Sequence, residues 1–298
     1  MYTRILIPLD GSKVAEQVLP YARFLAKALG IPAELFGVVD PETLVPFSDP
    51  GQGRHLDTLV AETMSRIAGY LDATARSFHG PQVKCSVGKG RPEDEVIEKA
   101  AADQNTLIVM ATHGRSGMQR WLLGSVADRV LHGASNHLFL VRAIDQGKTD
   151  GEAALKSVIV PLDGSALAEH SLPHVVDLAK KMKLEVVLVR AYALPPAVSA
   201  EDYGYYSADL LDHLESEARD YLQQKENELK QKGVEHVASV VNTGYGAEEI
   251  ITLARNTRDN LVAMCTHGRS GIKRWVLGSV TDRVVRHSGD PVLIIRAD

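Results

Sequence analysis

Short apolar runs alternate with longer amphipathic stretches from one end of the chain to the other. The runs at 107–110 and 261–264 contain apolar residues alone, which is typical of central strands that helices cover on both faces. The stretches between the runs have a helical pattern of apolar positions. Strands that alternate with helices in this way indicate βαβ units, so the pattern predicts an α/β protein with a mostly parallel sheet.

Each half of the chain is predicted to contain strands and helices in the same order. Strands are expected at residues 4–8, 33–39, 82–87, 106–111 and 138–142, and again at 157–161, 185–191, 236–241, 260–265 and 291–296. Helices are expected at residues 13–29, 56–78, 92–103 and 125–132, and again at 166–181, 208–232, 247–256 and 279–286. An irregular loop rich in Pro and Gly is expected at 41–53.

The two halves of the chain are copies of each other. Residues 5–12 and 158–165 carry the same pattern, and Gly90 pairs with Gly244, so equivalent residues stand 153 or 154 positions apart. A period of this length exceeds the roughly 20–50 residues of solenoid repeats and indicates duplication of a whole domain. We therefore predict one domain at residues 1–145, a linker at 146–155 and a second domain at 156–298.

The predicted fold class is α/β, with two repeated Rossmann-like domains. Each domain is expected to be a doubly wound, mostly parallel five-stranded sheet. The last strands, at 138–142 and 291–296, are similarly apolar, and an apolar strand at the edge of a sheet needs covering. We therefore expect the two domains to be arranged as a pseudo-two-fold dimer in which the final strands pair.

Composition narrows the classes of function. The formal net charge of −5 argues against a general nucleic-acid binder, because phosphate backbones are bound by clustered Lys and Arg. No apolar stretch approaches the roughly 18 residues that span a bilayer, and the first residues form no signal-peptide core. Cys85 and Cys265 occupy non-equivalent positions of the repeat, which favours buried, reduced thiols. We expect a cytoplasmic protein with no membrane or nucleic-acid partner.

In a parallel α/β sheet, ligands bind beyond the carboxyl ends of the strands. One element expected there is the acidic residue after the first strand of each copy, Asp10 or Asp163. Such a carboxylate could accept hydrogen bonds from the hydroxyl groups of a ribose. It could also cap a helix or form an Asx turn ahead of Ser12 or Ser165, and this role could coexist with ribose binding.

The other element expected at this edge is a duplicated glycine-rich segment after the fourth strand. It runs from Thr112 through Gly-Arg-Ser-Gly to Gly124-Ser125, and it returns between Thr266 and Gly278-Ser279. Glycines let the backbone approach an anion closely, and the Gly-Ser pair stands where a helix with unsatisfied N–H groups begins. The segment is therefore interpreted as a phosphate site, and a pair of tight turns without a ligand is the alternative.

These residues resemble the ATP-binding motif of the universal stress protein family. The family pattern after the fourth strand is a small residue, two others, Gly, nine others and Gly-Ser, and the Pro-x-Asp-x-Ser of residues 8–12 and 161–165 is also similar to the family's pattern. The resemblance covers both halves, and it implies a tandem member of the family. One departure is that the family motif opens with Gly, whereas this chain has Ala111 and the bulkier Cys265.

The resemblance implies a role for each matching residue. Asp10 and Asp163 would hold the ribose of ATP. The adenine pocket would be lined by Leu9 and Val38 in the first copy, and by Leu162 and Ala191 in the second. Any Mg²⁺ would be held by the phosphates themselves. The residues around the phosphates would be Ala111, Gly114, Arg115, Gly117, Gly124, Ser125 and Val126 in the first copy, and Cys265, Gly268, Arg269, Gly271, Gly278, Ser279 and Val280 in the second.

The resemblance implies an ATP-binding protein of stress response or signalling, with at most slow hydrolysis of ATP. The sequence contains neither a Walker Gly-x-x-x-x-Gly-Lys-Ser/Thr motif nor a Gly-x-Ser-x-Gly nucleophile elbow. An ATP-dependent enzyme, either an ATPase or an adenylate-forming enzyme, is one alternative, and a nucleotide-free interaction scaffold is another. The sequence identifies no downstream protein partner, and it leaves homodimerisation of whole chains open.

Overall fold

The computed structural model describes residues 1–48, 55–112, 123–143, 148–193, 206–266 and 277–297, apart from the side chains of residues 206–208. The chain divides into two units, unit 1 at Met1–Ala154 and unit 2 at Leu155–Asp298. Parallel strands and helices alternate in both units, and the predicted α/β class with two Rossmann-like repeats is confirmed.

The sheet of unit 1 has the strand order β3-β2-β1-β4-β5 with parallel pairing. Ile5 in β1 lies opposite Ala33 in β2 and opposite Leu107 in β4. The connection from β3 to β4 crosses to the other side of β1, so the topological switch point lies between β1 and β4, where such sheets bind ligands. The strands are β1 (Arg4–Pro8), β2 (Ala33–Val39), β3 (Val83–Lys89), β4 (Thr106–Ala111) and β5 (Leu138–Val141).

Helices cover both faces of this sheet, which makes it doubly wound. The helices are α1 (Leu19–Leu29), α2 (Leu56–Ala75), α3 (Pro92–Ala101) and α4 (Ser125–Gly133). Gly37 in β2 faces α2, since a Cβ on it would clash with Cγ2 of Ile67. The neighbouring Phe36 faces α3, with Nζ of Lys99 5.2 Å from its ring centroid. Consecutive residues of a strand point to opposite faces, so α2 and α3 pack on opposite sides.

Unit 2 repeats the architecture with the strand order β8-β7-β6-β9-β10. Its strands are β6 (Ser157–Pro161), β7 (Glu185–Tyr192), β8 (Val237–Thr243), β9 (Asn260–Cys265) and β10 (Val292–Ile295). Its helices are α5 (Ala166–Glu169), α6 (Leu172–Met182), α7 (Tyr206–Gln231), α8 (Gly246–Asn256) and α9 (Ser279–His287). Every residue of β4 and of β9 is buried, as the all-apolar runs predict for central strands.

The first helix of each copy, predicted as continuous over 13–29 and 166–181, is in fact broken, so this prediction was wrong. In unit 1 a 3-10 turn at Ala15–Val18 precedes α1, and in unit 2 the short α5 precedes α6. Pro20 and Pro173 are the second residues of α1 and α6, and proline has no N–H to donate to the carbonyl four residues earlier. The helix therefore begins again one residue before the proline, at Leu19 in unit 1 and at Leu172 in unit 2.

The end of unit 1 is held against α1 by backbone contacts. The Arg23 guanidinium donates through Nε to the carbonyl of Gly151, at 2.7 Å, and through Nη2 to the carbonyl of Thr149, at 2.6 Å. The N–H of Ala153 donates to the carbonyl of Pro20 at 3.1 Å. Part of the segment predicted as a linker therefore has fixed hydrogen-bond partners on α1.

The loop expected to be irregular contains two 3-10 turns, at Pro41–Thr43 and Val45–Phe47, and Asp40 caps the first by accepting from the N–H of Glu42. Among the described residues, no helix is both long enough and apolar enough to cross a bilayer.

Candidate functional site

A cavity of about 670 Å³ opens at the carboxyl ends of the strands of unit 1. Clefts that bind small molecules have volumes of roughly 300–1,000 Å³, so this cavity has the size of a cofactor site. It is bordered by the ends of β1, β2 and β4 and by turns of α2, α3 and α4. The cavity therefore coincides with the topological switch point between β1 and β4.

The residues after β1 hold an acidic side chain at this cavity. Oδ1 of Asp10 accepts hydrogen bonds from the N–H of Ser12, at 2.9 Å, and from its hydroxyl group, at 2.7 Å. Gly11 between them has φ 78°, in the left-handed region that favours glycine. The Ser12 hydroxyl in turn accepts from the N–H of Ala15 at 3.1 Å. The Asx turn that the sequence allows is thus present, and it fixes the orientation of a carboxylate that lines the cavity.

The N-terminus of α4 borders the same cavity and has no side-chain cap. Gly124 is the N-cap, with φ −62° and ψ 149°, and it contributes no side-chain acceptor. Its N–H donates to the carbonyl of Thr112 at 2.8 Å, which ties the start of the helix to the end of β4. The next residues, Ser125, Val126 and Ala127, line the cavity. The first N–H groups of a helix have no partner inside the helix, so this turn offers donors and a positive dipole end to an anion.

The wall formed by α2 adds polar groups that the sequence did not indicate. The Tyr70 hydroxyl donates to Oε1 of Glu16 at 3.1 Å, and burial together with this carboxylate raises the pKa of Tyr70. Tyr70, Thr63, Arg66 and Ile67 all line the cavity from α2. Arg66 is exposed to solvent and brings a positive charge to this wall.

Unit 2 contains a smaller cavity of about 290 Å³ at the equivalent place. Oδ1 of Asp163 accepts from the N–H of Ser165, at 2.9 Å, and from its hydroxyl, at 2.6 Å, in the same Asx turn. Gly278 is the N-cap of α9, again without a side-chain cap. Burial raises the pKa of the Cys265 thiol to about 12, so this lining residue is an uncharged thiol at neutral pH.

The structure brings together all of the predicted site residues that it describes. In unit 1, the predicted residues that line the cavity are Leu9, Asp10, Val38, Ala111, Gly124, Ser125 and Val126. In unit 2, they are Leu162, Asp163, Ala191, Cys265, Gly278, Ser279 and Val280. The predicted residues that lie outside the described part of the chain are Gly114, Arg115, Gly117, Gly268, Arg269 and Gly271.

Sequence reasoning missed the contribution of the long helices. Tyr70 in α2 donates to Glu16, and Tyr221 in α7 makes the equivalent hydrogen bond to Oε1 of Glu169, at 2.8 Å. These tyrosines stand 151 positions apart (221 minus 70), a spacing different from the 153 or 154 of the strands. Matching the tyrosines between the two long helices would have been the signal for this wall.

Comparisons with known proteins identify the family. The model of the universal stress protein family matches residues 1–142 and 154–296. A universal stress protein of Mycolicibacterium smegmatis is 24% identical over 304 residues, covering 98% of this chain and 96% of that protein. A universal stress protein of Methanothermobacter thermautotrophicus is 30% identical over 149 residues, covering 48% of this chain and 98% of that protein.

Solved structures agree on the fold. The crystal structure of a universal stress protein from Archaeoglobus fulgidus matches with a TM-score of 0.72 at 21% sequence identity, over 99% of both chains. At this level of identity the likeness concerns the fold, and it extends through both repeats. Since the family model matches twice and accounts for nearly the whole sequence, the chain belongs to the universal stress protein family and carries two copies of its domain in tandem.

Proposed function

We propose that this protein binds ATP in the cavity of unit 1 and acts as a nucleotide-dependent protein of stress response or signalling. The observation that carries the proposal is that Asp10 and the uncapped N-terminus of α4 line one cavity. The first is an acceptor suited to sugar hydroxyls, and the second is a set of donors suited to phosphate. A nucleotide presents both groups in one molecule.

The start of α4 supports binding of the phosphates. Its first N–H groups have no acceptor within the helix, and Gly124 supplies no side chain to take that place. The helix dipole favours a negative charge at this end by roughly 0.3–1 kcal/mol, and the Ser125 hydroxyl is a further donor. By the family resemblance, Gly114, Arg115 and Gly117 would complete the phosphate surface.

The opposite side of the cavity supports binding of the nucleoside. The carboxylate of Asp10 is fixed by Ser12, so little ordering is needed when a ribose hydroxyl donates to it. Leu9 and Val38 provide the apolar contacts for adenine that the family resemblance implies. Among the described residues, no group of three His, Cys, Asp or Glu side chains could hold a metal ion, so in this proposal the phosphates supply the protein-bound Mg²⁺ with its main ligands.

Binding is proposed as the activity, with hydrolysis slow at most. Efficient phosphoryl transfer needs a group that orients the attacking water, in addition to Mg²⁺ and a cation at the phosphates. Arg115 is the candidate cation from the sequence and Arg66 of α2 also lines the cavity, but the sequence suggests no residue that would orient the attacking water. Occupancy by ATP would then act through the conformation or the associations of the protein.

The test is a calorimetric titration of the nucleotide-free, full-length protein with Mg-ATP, followed by an assay of phosphate release over many turnovers. We expect saturable binding and little release of phosphate. Absence of heat and of binding at millimolar ATP would refute the proposal and leave the interaction scaffold. Rapid release of phosphate would instead favour the ATPase. Competition by ADP, AMP and GTP in the same cell measures how far the phosphates and the base each contribute.

A further inference from the structure

The two cavities differ on the side of the long helix. The cavity of unit 1 reaches across to α2, whose residues Thr63, Arg66, Ile67 and Tyr70 line it. The cavity of unit 2 is lined by strand ends and by turns of α5, α8 and α9, and its described lining residues include none from α7. The part of the unit 1 cavity that adjoins the long helix is therefore missing from unit 2.

The tyrosine–glutamate bonds give the correspondence between the long helices. Tyr70 donates to Oε1 of Glu16, and Tyr221 donates to Oε1 of Glu169, so Tyr221 is the equivalent of Tyr70. Counting back from these tyrosines, Ala218 is the equivalent of Ile67, and Glu217 is the equivalent of Arg66.

The strand pairing gives the correspondence between the second strands. Pro8 in β1 lies opposite Phe36, and Pro161 in β6 lies opposite Val189. The residue after Phe36 is Gly37, and the residue after Val189 is Arg190, so these two are equivalent. Unit 1 therefore has no side chain at the position where unit 2 has a long, positively charged one.

At this contact the larger side chain belongs to the helix in unit 1 and to the strand in unit 2. In unit 1, a Cβ on Gly37 would clash with Cγ2 of Ile67, so the helix side chain fills the space between strand and helix. In unit 2, the helix residue is the small, fully buried Ala218, and the buried Arg190 reaches from the strand to the neighbouring helix residues Glu217 and Tyr221. The two units thus pack the same strand against the same helix in opposite ways.

Arg190 is fixed against the helix positions that line the cavity in unit 1. Its Nη2 lies 2.9 Å from Oε1 of Glu217, and its Cζ lies 4.9 Å from the ring centroid of Tyr221. Its side chain is 9% exposed. An ion pair and a cation–π contact hold the guanidinium in this position. The equivalents of these two partners, Arg66 and Tyr70, border open space in unit 1.

Two further substitutions add bulk near the strand end in unit 2. Cys265 stands where unit 1 has Ala111, and Thr281 stands where unit 1 has Ala127, and all four line their cavities. The cavity volume is about 290 Å³ in unit 2 and about 670 Å³ in unit 1. Ligand clefts begin at roughly 300 Å³, so the smaller cavity is at the lower limit for any cofactor.

We infer that the chain binds one nucleoside triphosphate, in unit 1, and that Arg190 is the specificity-determining residue that keeps such a ligand out of unit 2. The inference rests on the proposed function. It adds that the two domains do not offer equal binding sites. At the contact between the second strand and the long helix, the large side chain is on the helix in unit 1 (Ile67) and on the strand in unit 2 (Arg190).

The experiment exchanges this contact between the units of the full-length protein. The opening variant, Arg190→Gly with Ala218→Ile, gives unit 2 the pair found in unit 1, and the closing variant, Gly37→Arg with Ile67→Ala, does the reverse. Each is titrated with Mg-ATP by calorimetry, and folding is checked by circular dichroism and thermal unfolding. We expect a stoichiometry of one for the unchanged protein, two for the opening variant and zero for the closing variant.

A second set of variants identifies the occupied unit and does not depend on the exchange. Gly124→Asp puts a carboxylate at the proposed phosphate site of unit 1 and should weaken binding at the single site of the unchanged protein about a hundredfold. Arg190→Ala removes the guanidinium without adding bulk to α7, and it should also give a second site if the double variant does not fold. In the opening variant, adding Gly124→Asp should leave one site at full affinity, in unit 2.

Several outcomes would overturn the inference while leaving ATP binding established. They are two sites in the unchanged protein, one site whose affinity Gly124→Asp does not change, and a stoichiometry that stays at one in folded Arg190→Gly, Ala218→Ile and Arg190→Ala proteins. Absence of any binding in the unchanged protein would instead refute the proposed function itself. The two failures are therefore distinguishable by the first titration.

Discussion

Replacing Gly124 by aspartate tests the anion site at α4 most directly. Gly124 is the N-cap of α4, and its φ of −62° and ψ of 149° suit aspartate, which is among the preferred N-cap residues. The new carboxylate would accept hydrogen bonds from the first-turn N–H groups that the phosphates are proposed to use. The helix should lose nothing, since aspartate at an N-cap is favoured over glycine by a few tenths of a kcal/mol. The substitution therefore competes with the ligand while preserving the fold.

The expected loss of affinity has two parts. A hydrogen bond to a charged group contributes about 1.5–3 kcal/mol, and at least one such bond from α4 is lost. Two like charges about 4 Å apart repel by roughly 1 kcal/mol even at the dielectric constant of water. Together these give about 3 kcal/mol, or roughly a hundredfold weaker binding of ATP. Gly124→Asn makes the same hydrogen bonds without the charge, so about 2 kcal/mol of the loss remains and binding should weaken only about thirtyfold.

The assay is calorimetric titration of both variants with Mg-ATP, with the melting temperature measured alongside. Gly278→Asp is the matched change at α9, and it measures what the same cap does to the melting temperature in the other repeat. A Gly124→Asp protein that keeps its melting temperature and binds ATP within about threefold of the unchanged protein would refute the assignment of the phosphates to α4.

Three further predictions concern groups outside the proposed phosphate site. Burial raises the pKa of Asp290 to about 6, so the stability that this group contributes is full below about pH 4 and is lost as the pH rises through 6. In urea unfolding, Asp290→Asn should raise the free energy of unfolding by about 1 kcal/mol at pH 7.5 and by nothing at pH 4. Equal gains at both pH values would contradict the reasoning. Burial raises the pKa of Cys265 to about 12 and that of Cys85 to about 11. Iodoacetamide at pH 8, followed by mass spectrometry, should therefore label neither thiol in the native protein and both thiols in urea. Rapid labelling of native Cys265 would contradict this prediction and show that its pocket opens. Arg23→Met removes two hydrogen bonds to the carbonyls of Thr149 and Gly151, so it should lower the free energy of unfolding by about 2 kcal/mol and speed proteolysis after residue 148. An unchanged cleavage pattern would mean that Arg23 does not hold this segment.

The strands could be predicted from the sequence because their signals are local. The structure has β1, β2, β4, β6 and β9 at the predicted residues, since each is a mainly apolar run with polar residues or proline near its ends. The strand β3 extends two residues further than predicted, to Lys89, because its half-exposed residues give no clear apolar limit. The break at Pro20 could have been read from the sequence, because its cause is a single residue.

The candidate site could be predicted only where it is built from consecutive residues. Asp10 and Ser12 form one turn, and Gly124 begins one helix, so both elements are visible in the repeat. The role of Arg190 is not visible there, because it depends on which residues of α7 pack against β7. The strands and the long helices follow different spacings between the copies, and no periodicity in one sequence relates them.

The proline breaks have a mechanical consequence for the site. The turn that follows Asp10 ends at Val18. Pro20 removes the N–H that would bond to the carbonyl of Glu16 in a continuous α-helix, and the N–H of Leu19 bonds to that carbonyl instead, with the shorter spacing of a 3-10 turn. Pro173 likewise has no N–H for the carbonyl of Glu169 in unit 2. Each acidic loop is therefore joined to the helix behind it through a separate short turn, and the two do not form one continuous helix. A ligand that binds Asp10 should therefore shift the turn at Ala15–Val18 without moving α1.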